Sequence, residues 1–258
     1  MQVGPLLPRV VKVLPALSTA LALGASGSLL IAPASAAPPL PDIWESDFGD
    51  ALGISFDDDN TETVALPFTF SFQGADYTEV TVSTNGFIWL GSGNTDDDCC
   101  DGNVSDFLVD PPRIAPMWFD LNPADSPDPG VTTGIFYNDS IAGEAVITFV
   151  EVPEFGTERS FSFQTILFDD GTICFGYHGI SRVSDHDVLT GVTPGDGADD
   201  PGATDLFRVI KKSLDTGSEG TVYEFYPGGR KFDLKRRNVC FIPNGFDGWV
   251  VSDSDQLP

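Results

Sequence analysis

The stretch "VTVSTNGFIWLGS", residues 80–92, sets Asn-Gly between two short β-rich runs. Asn-Gly is the strongest local signal for a two-residue type I′ turn, because both turn positions need φ > 0. A turn at Asn85-Gly86 makes Thr84 face Phe87, Ser83 face Ile88, Val82 face Trp89 and Thr81 face Leu90. One face of the hairpin then carries Val80, Val82, Phe87 and Trp89, and the other Thr81, Ser83, Ile88 and Leu90. The first face predicts tight packing and the second partial cover.

Outward from this hairpin the same pattern repeats. "VALPFTFSF" (64–72) alternates Phe68, Phe70 and Phe72 with Thr69 and Ser71, and "AVITFVEV" (145–152) follows later. "SFSFQTILF" (160–168) turns at Asp169–Gly171 into "TICFGY", a second hairpin. "VLTGV" (188–192), "DLFRVI" (205–210) and "TVYEFY" (221–226) complete the expected strands. No window carries a capped helical stripe. Many short strands at close spacing predict an all-β chain, an antiparallel β-sandwich with long acidic loops.

The first 36 residues read as a secretory signal peptide. Arg9 and Lys12 precede a long uncharged run that ends in "ASA" at Ala34–Ala36, the order expected of such a signal. A retained membrane anchor is the rival reading; Pro15, Gly24, Gly27 and the small-residue exit favour cleavage. The expected organisation is then a leader at 37–61, a β-sandwich domain at 62–228 and a basic C-terminal extension at 229–258. That extension, "GGRKFDLKRRNVCFIPNGFDGW", holds Arg230, Lys231, Lys235, Arg236 and Arg237. The mature chain is expected to lack a membrane span and to be secreted and extracellular.

The formal net charge is −26. Such a surface repels phosphate backbones and argues against a nucleic-acid partner. It fits either calcium-binding loops or adaptation to high salt. "GNTDDDCCDGNVSD" (93–106) offers Asp96, Asp97, Asp98, Asp101, Asn103 and Asp106 as oxygen ligands for Ca²⁺, though not at EF-hand spacing. A solvated acidic loop is the alternative. Asp57, Asp58 and Asp59 form a second acidic run, and Asp120, closing "MWFDL", suits either a turn cap or a cation ligand. Four cysteines (Cys99, Cys100, Cys174, Cys240) in an exported chain predict disulfides. Either a vicinal bridge or a pairing of Cys99 or Cys100 with Cys174 or Cys240 is compatible with the sequence.

Catalysis has little to stand on. Only His178 and His186 are present, and no G-x-S-x-G elbow or H-E-x-x-H motif occurs. Ser184, Asp185, His186 and Asp187 are consecutive, a spacing that sends neighbours to opposite faces of a strand. A non-enzyme is expected, with no catalytic residues.

Several segments in order, "LPFTFSFQGADYTEVTVSTNGFIWLG", "RIAPMWFDLNP", "GIFY", "VITFVEV", "FSFQTILFDDGTICFGY" and "LTGVTPGDG", resemble the extracellular nidogen-like (NIDO) domain and its bacterial secreted relatives. The resemblance spans roughly residues 62–197. Phe149 stands where a tryptophan is usual, and "WVVSDSDQLP" is not the sorting signal with which bacterial relatives often end. The resemblance implies a β-rich module of adhesion and matrix proteins, without catalytic residues. The expected function is a secreted recognition or adhesion module at a cell surface or extracellular matrix, supported by calcium. Its partner would be a surface or matrix protein or polysaccharide, with self-association open. The alternative is a secreted hydrolase acting on a polymeric substrate.

Overall fold

A computed structural model describes residues 43–178, 180 and 184–254. The signal peptide expected at 1–36 lies outside them. Along the chain run β1 (Asp50–Ala51), β2 (Thr61–Phe72), β3 (Ala75–Ser83), β4 (Ile88–Leu90), α1 (Val104–Val109), β5 (Arg113–Trp118), β6 (Gly134–Asn138) and β7 (Glu144–Pro153). They are followed by β8 (Ser160–Phe168), β9 (Ile173–Tyr177), β10 (Val188–Thr193), α2 (Leu206–Val209), β11 (Leu214–Asp215), β12 (Val222–Tyr226), β13 (Asn238–Pro243) and β14 (Trp249–Ser252). The strands form an eight-stranded sheet, ordered β1-β6-β7-β8-β9-β13-β14-β11, and a six-stranded sheet, ordered β12-β10-β5-β4-β3-β2. Every strand pair is antiparallel, and the two sheets pack as a β-sandwich.

The core between the sheets is built by alternation. Phe70 and Phe72 of β2, Val80 and Val82 of β3, and Phe161, Phe163 and Leu167 of β8 all point into it. Both outer faces are covered as well. Ile43, Val146, Ile166, Cys174 and Cys240 form a small cluster on the outside of the larger sheet, and Gln164 there exchanges hydrogen bonds with the backbone of Glu45. Among the described residues no helix is long and apolar enough to cross a membrane.

The opening hairpin sits where the sequence places it, but one residue out of the expected register. Val80 faces Leu90, Thr81 faces Trp89 and Val82 faces Ile88, so the loop is Thr84-Asn85-Gly86. Only Gly86 in it has positive φ (77°), and Gly86 N–H donates to Ser83 O while Ser83 N–H donates to Phe87 O. This is the three-residue hairpin that ends in a left-handed glycine, not the two-residue type I′ turn. A slip of one residue exchanges the faces of a strand. Ile88 and Leu90 therefore join Val80 and Val82 in the core, while Phe87 and Trp89 point outward into a second aromatic cluster. Gly86 is required for a further reason: a Cβ there would lie 2.1 Å from Met117 O.

"DLFRVI" is a short helix, not a strand. The Asp205 carboxylate accepts the Arg208 N–H as an N-cap, and Leu206 and Ile210, four apart, are buried on one side. A second helix, α1, is capped by Asn103. Residues 229–258, set apart in the sequence by their basic run, supply β13 and β14, so the larger sheet continues past residue 228. Cys240 on β13 lies directly opposite Cys174 on β9 and is bonded to it, and Cys99 is bonded to Cys100.

The Cys174–Cys240 bridge ties two strands 66 residues apart in sequence. Replacing both cysteines by alanine is expected to cost about 2–5 kcal/mol, read from urea unfolding. A loss under 1 kcal/mol would contradict a structural role.

Candidate functional site

Five loops meet at one end of the sandwich: 57–60, 84–86, 96–101, 119–125 and 184–187. Asn85, fully buried, ties the first four together. Its Oδ1 accepts the Leu121 N–H at 3.0 Å, and its Nδ2 donates to Asp59 Oδ1 at 3.0 Å and to Asp97 O at 3.4 Å. Its own carbonyl accepts the Phe119 N–H at 3.2 Å. Asparagine suits this place because one amide offers an acceptor and two donors in a fixed plane.

The loop 96–110 is packed, despite its acidity. Phe87, Trp89 and Trp118 enclose the guanidinium of the fully buried Arg113, which lies 3.8 Å from the Trp89 ring centre and 4.1 Å from that of Trp118. Arg113 pairs with Asp98 at 2.6 Å and Asp110 at 3.0 Å. Trp89 and Trp118 donate their indole N–H groups to Asp96 O and Asp98 O. Cation–π stacking and ion pairing thus clamp the loop onto the sheet.

That packing decides the fate of the six predicted calcium ligands. Asp98 is committed to Arg113, Asn103 caps α1 through Ser105 and Asp106, and Asp106 lies in that helix's first turn. Asp96 and Asp97 accept the backbone N–H groups of Asp98 and Cys99. Asp101 reaches away from the loop, 2.9 Å from His186 Nδ1. The six do not converge on one point. Among the described residues, side chains of the metal-binding types converge instead at Asp59, Cys99, Cys100 and Asp120, whose ligand atoms all lie within 4.8 Å of one another.

Among the described residues no backbone N–H reaches the Asp120 carboxylate, and Asn85 takes the capping role at Leu121. The Asp120 residue is 5% exposed, and the nearest basic nitrogen to it among the described residues is His186 Nδ1 at 4.0 Å. Burial pushes its carboxyl above the usual range, His186 opposes, and Asp59, Asp101 and Glu154 push further. Asp58 is raised to about 6, first by burial and then by Asp59, Asp120, Asp125 and Asp97. Its Oδ1 is buried and has no hydrogen-bond partner among the described residues.

Glu154, which no sequence motif marks, anchors the remaining loop. Its buried carboxylate accepts Ser184 Oγ–H and the Asp185 N–H at 2.6 Å each, and pairs with Arg159 at 2.9 Å. Ser184 therefore faces Glu154, while the His186 ring turns to Asp101. His178 stacks on Trp44, with ring centres 4.4 Å apart.

Arg113→Ala strands Asp98 and opens the aromatic cluster; a cost of about 3–5 kcal/mol is expected, with early proteolysis inside 91–110. Unchanged proteolysis would show that the clamp does not hold the loop. Because the Asp58 pKa is raised on folding, its contribution to stability is present below pH 4 and is lost as pH rises through about 6. In chelator, Asp58→Asn should therefore raise Tm at pH 7 but not at pH 4. A Tm difference constant across that range would contradict the raised pKa.

No solved structure matches the chain. A family model described as NIDO related matches residues 46–198, which include β1 to β10 and all five loops of the acidic end. That match covers more than half of the chain, and the chain belongs to the NIDO-related family, whose domains are typically extracellular.

Proposed function

We propose that this chain is a secreted, non-catalytic recognition or adhesion module, working at a cell surface or in an extracellular matrix with calcium support. The observation that carries the reading is the crowding of carboxylates at the Asn85 end. Asp58, Asp59, Asp97, Asp101, Asp120 and Asp125 gather there, with a single imidazole among the groups that influence them. Like charges brought together cost free energy that a hard cation would relieve, and oxygen ligands from separate loops are what Ca²⁺ takes. A cation held there would also fix the loops that present the surface to a partner protein or polysaccharide. Ser184 supports the non-catalytic reading: its hydroxyl donates to Glu154 instead of a histidine ring, so it is not arranged as the nucleophile of a Ser-His-Asp triad.

The test is retention of labelled chain on intact source cells and on their extracted matrix. Retention in Ca²⁺ that a chelator abolishes is expected. Retention indifferent to the chelator would remove calcium from the account, and no retention in either condition would contradict surface recognition.

A further inference from the structure

We propose that Asp59 and Asp120 together hold one Ca²⁺ ion at the Asn85 end, and that Asn85 is the positioning residue that aims Asp59 at it. This inference rests on the calcium-supported reading above, and it moves the cation from the loop 96–106 to a pair of carboxylates brought together from residues 61 apart in sequence.

Three observations carry it. The first is distance. Carboxylate oxygens of Asp59 and Asp120 lie within 4.8 Å of each other. Two oxygens that each ligate Ca²⁺ at 2.3–2.6 Å can be no further apart than roughly 5 Å.

The second is the state of Asp120. The residue is 95% buried, and among the described residues no donor hydrogen-bonds to its carboxylate; His186 Nδ1 stands off at 4.0 Å and is itself engaged by Asp101 at 2.9 Å. Buried charges are normally paired or metal-bound. Here the carboxylate faces a second carboxylate.

The third is that Asp59, though exposed, is held in place. The Asn85 Nδ2 donates to Asp59 Oδ1 at 3.0 Å, while the other end of that amide is fixed on Leu121 N–H. A rigid buried donor orients one oxygen and leaves the second free, the arrangement in which outer partners set a ligand's direction.

The donor set selects a hard cation. Cys99 and Cys100 border the same point, but their sulfurs are bonded to each other. A metal such as zinc takes thiolate, and a disulfide offers none. The carboxylates remain, with solvent free to complete a shell of six to eight oxygens from the exposed side.

Thermal unfolding of the purified chain, in Ca²⁺ and in chelator, tests the site. Ca²⁺ should raise Tm with half-saturation near about 10⁻⁴–10⁻³ M, the range of extracellular modules. Asp59→Asn and Asp120→Asn should each abolish the rise or weaken half-saturation by about tenfold or more, and the double variant D96N/D106N should keep it. In chelator, Asp120→Asn should melt no lower than the parent, since it removes a buried charge that has no hydrogen-bond donor among the described residues and only a distant imidazole opposite it. Asp59→Asn changes an exposed residue, so it reports even if the buried variant fails to fold.

A Ca²⁺ rise that persists in Asp59→Asn would overturn the assignment. So would Zn²⁺ stabilisation seen only after thiol reduction, with Ca²⁺ inert. Chelator-sensitive cell retention that survives in both variants would sink this site and leave the recognition reading intact. A Ca²⁺ shift lost in both variants, alongside no cell retention, would keep the site and sink the recognition reading.

Discussion

The buried amide of Asn85 is the contact on which the rest of this structure depends. Its oxygen satisfies Leu121 N–H just beyond β5, its nitrogen reaches Asp59, and its carbonyl accepts Phe119 N–H. An amide used this way cannot sit on a solvent-facing type I′ turn. The loop therefore takes three residues, and Gly86 alone carries the positive φ. Because strand side chains alternate, that one-residue choice decides the side to which every later residue of β4 points.

Two consequences run outward from it. Ile88 and Leu90 complete the core between the sheets, while Phe87 and Trp89 build an aromatic layer outside the smaller sheet. Arg113 stacks within that layer and reaches Asp98 and Asp110, so an aspartate-rich loop is fastened down. Some of the chain's acidity is thereby neutralised internally. A second group of carboxylates collects at the Asn85 end, where Asp58 and Asp120 hold their protons more tightly than ordinary aspartates. Fold and electrostatics share one origin: the loop geometry that closes the sandwich also brings the carboxylates together.

Much of the fold is legible in the sequence, for a physical reason. Strands buried on one face announce themselves by period two, and β8 appears at its observed bounds, Ser160–Phe168. The position of the first hairpin is equally plain, but its register depends on hydrogen bonds from Asn85 to residues 26 and 36 positions away. "DLFRVI" misleads because its apolar content suits a strand, and the signals that decide are the Asp205 cap and the Leu206–Ile210 spacing. β13 and β14 are obscured by the basic run before them.

The candidate site is less legible still. The acidic residues adjacent in sequence, Asp96 to Asp106, are largely spent on loop turns, a helix cap and Arg113. Asp59, in an acidic run, and Asp120, a turn-cap or cation-ligand candidate, are visible separately in the sequence, but only the sandwich brings their loops together. Glu154 carries no motif at all. Proximity along the chain is a poor guide to ligation in a β-sandwich, because neighbouring strand-end loops come from distant segments.

The most direct measurement is an NMR titration of the isotope-labelled chain with Ca²⁺, following backbone and Asn side-chain amides. Saturable shifts centred on Asp59, Asp120, Leu121 and the Asn85 side chain are the predicted result, since the cation and the amide that aims its ligand would respond together. Shifts confined to residues 96–106, or no saturable shift at millimolar Ca²⁺, would contradict the account.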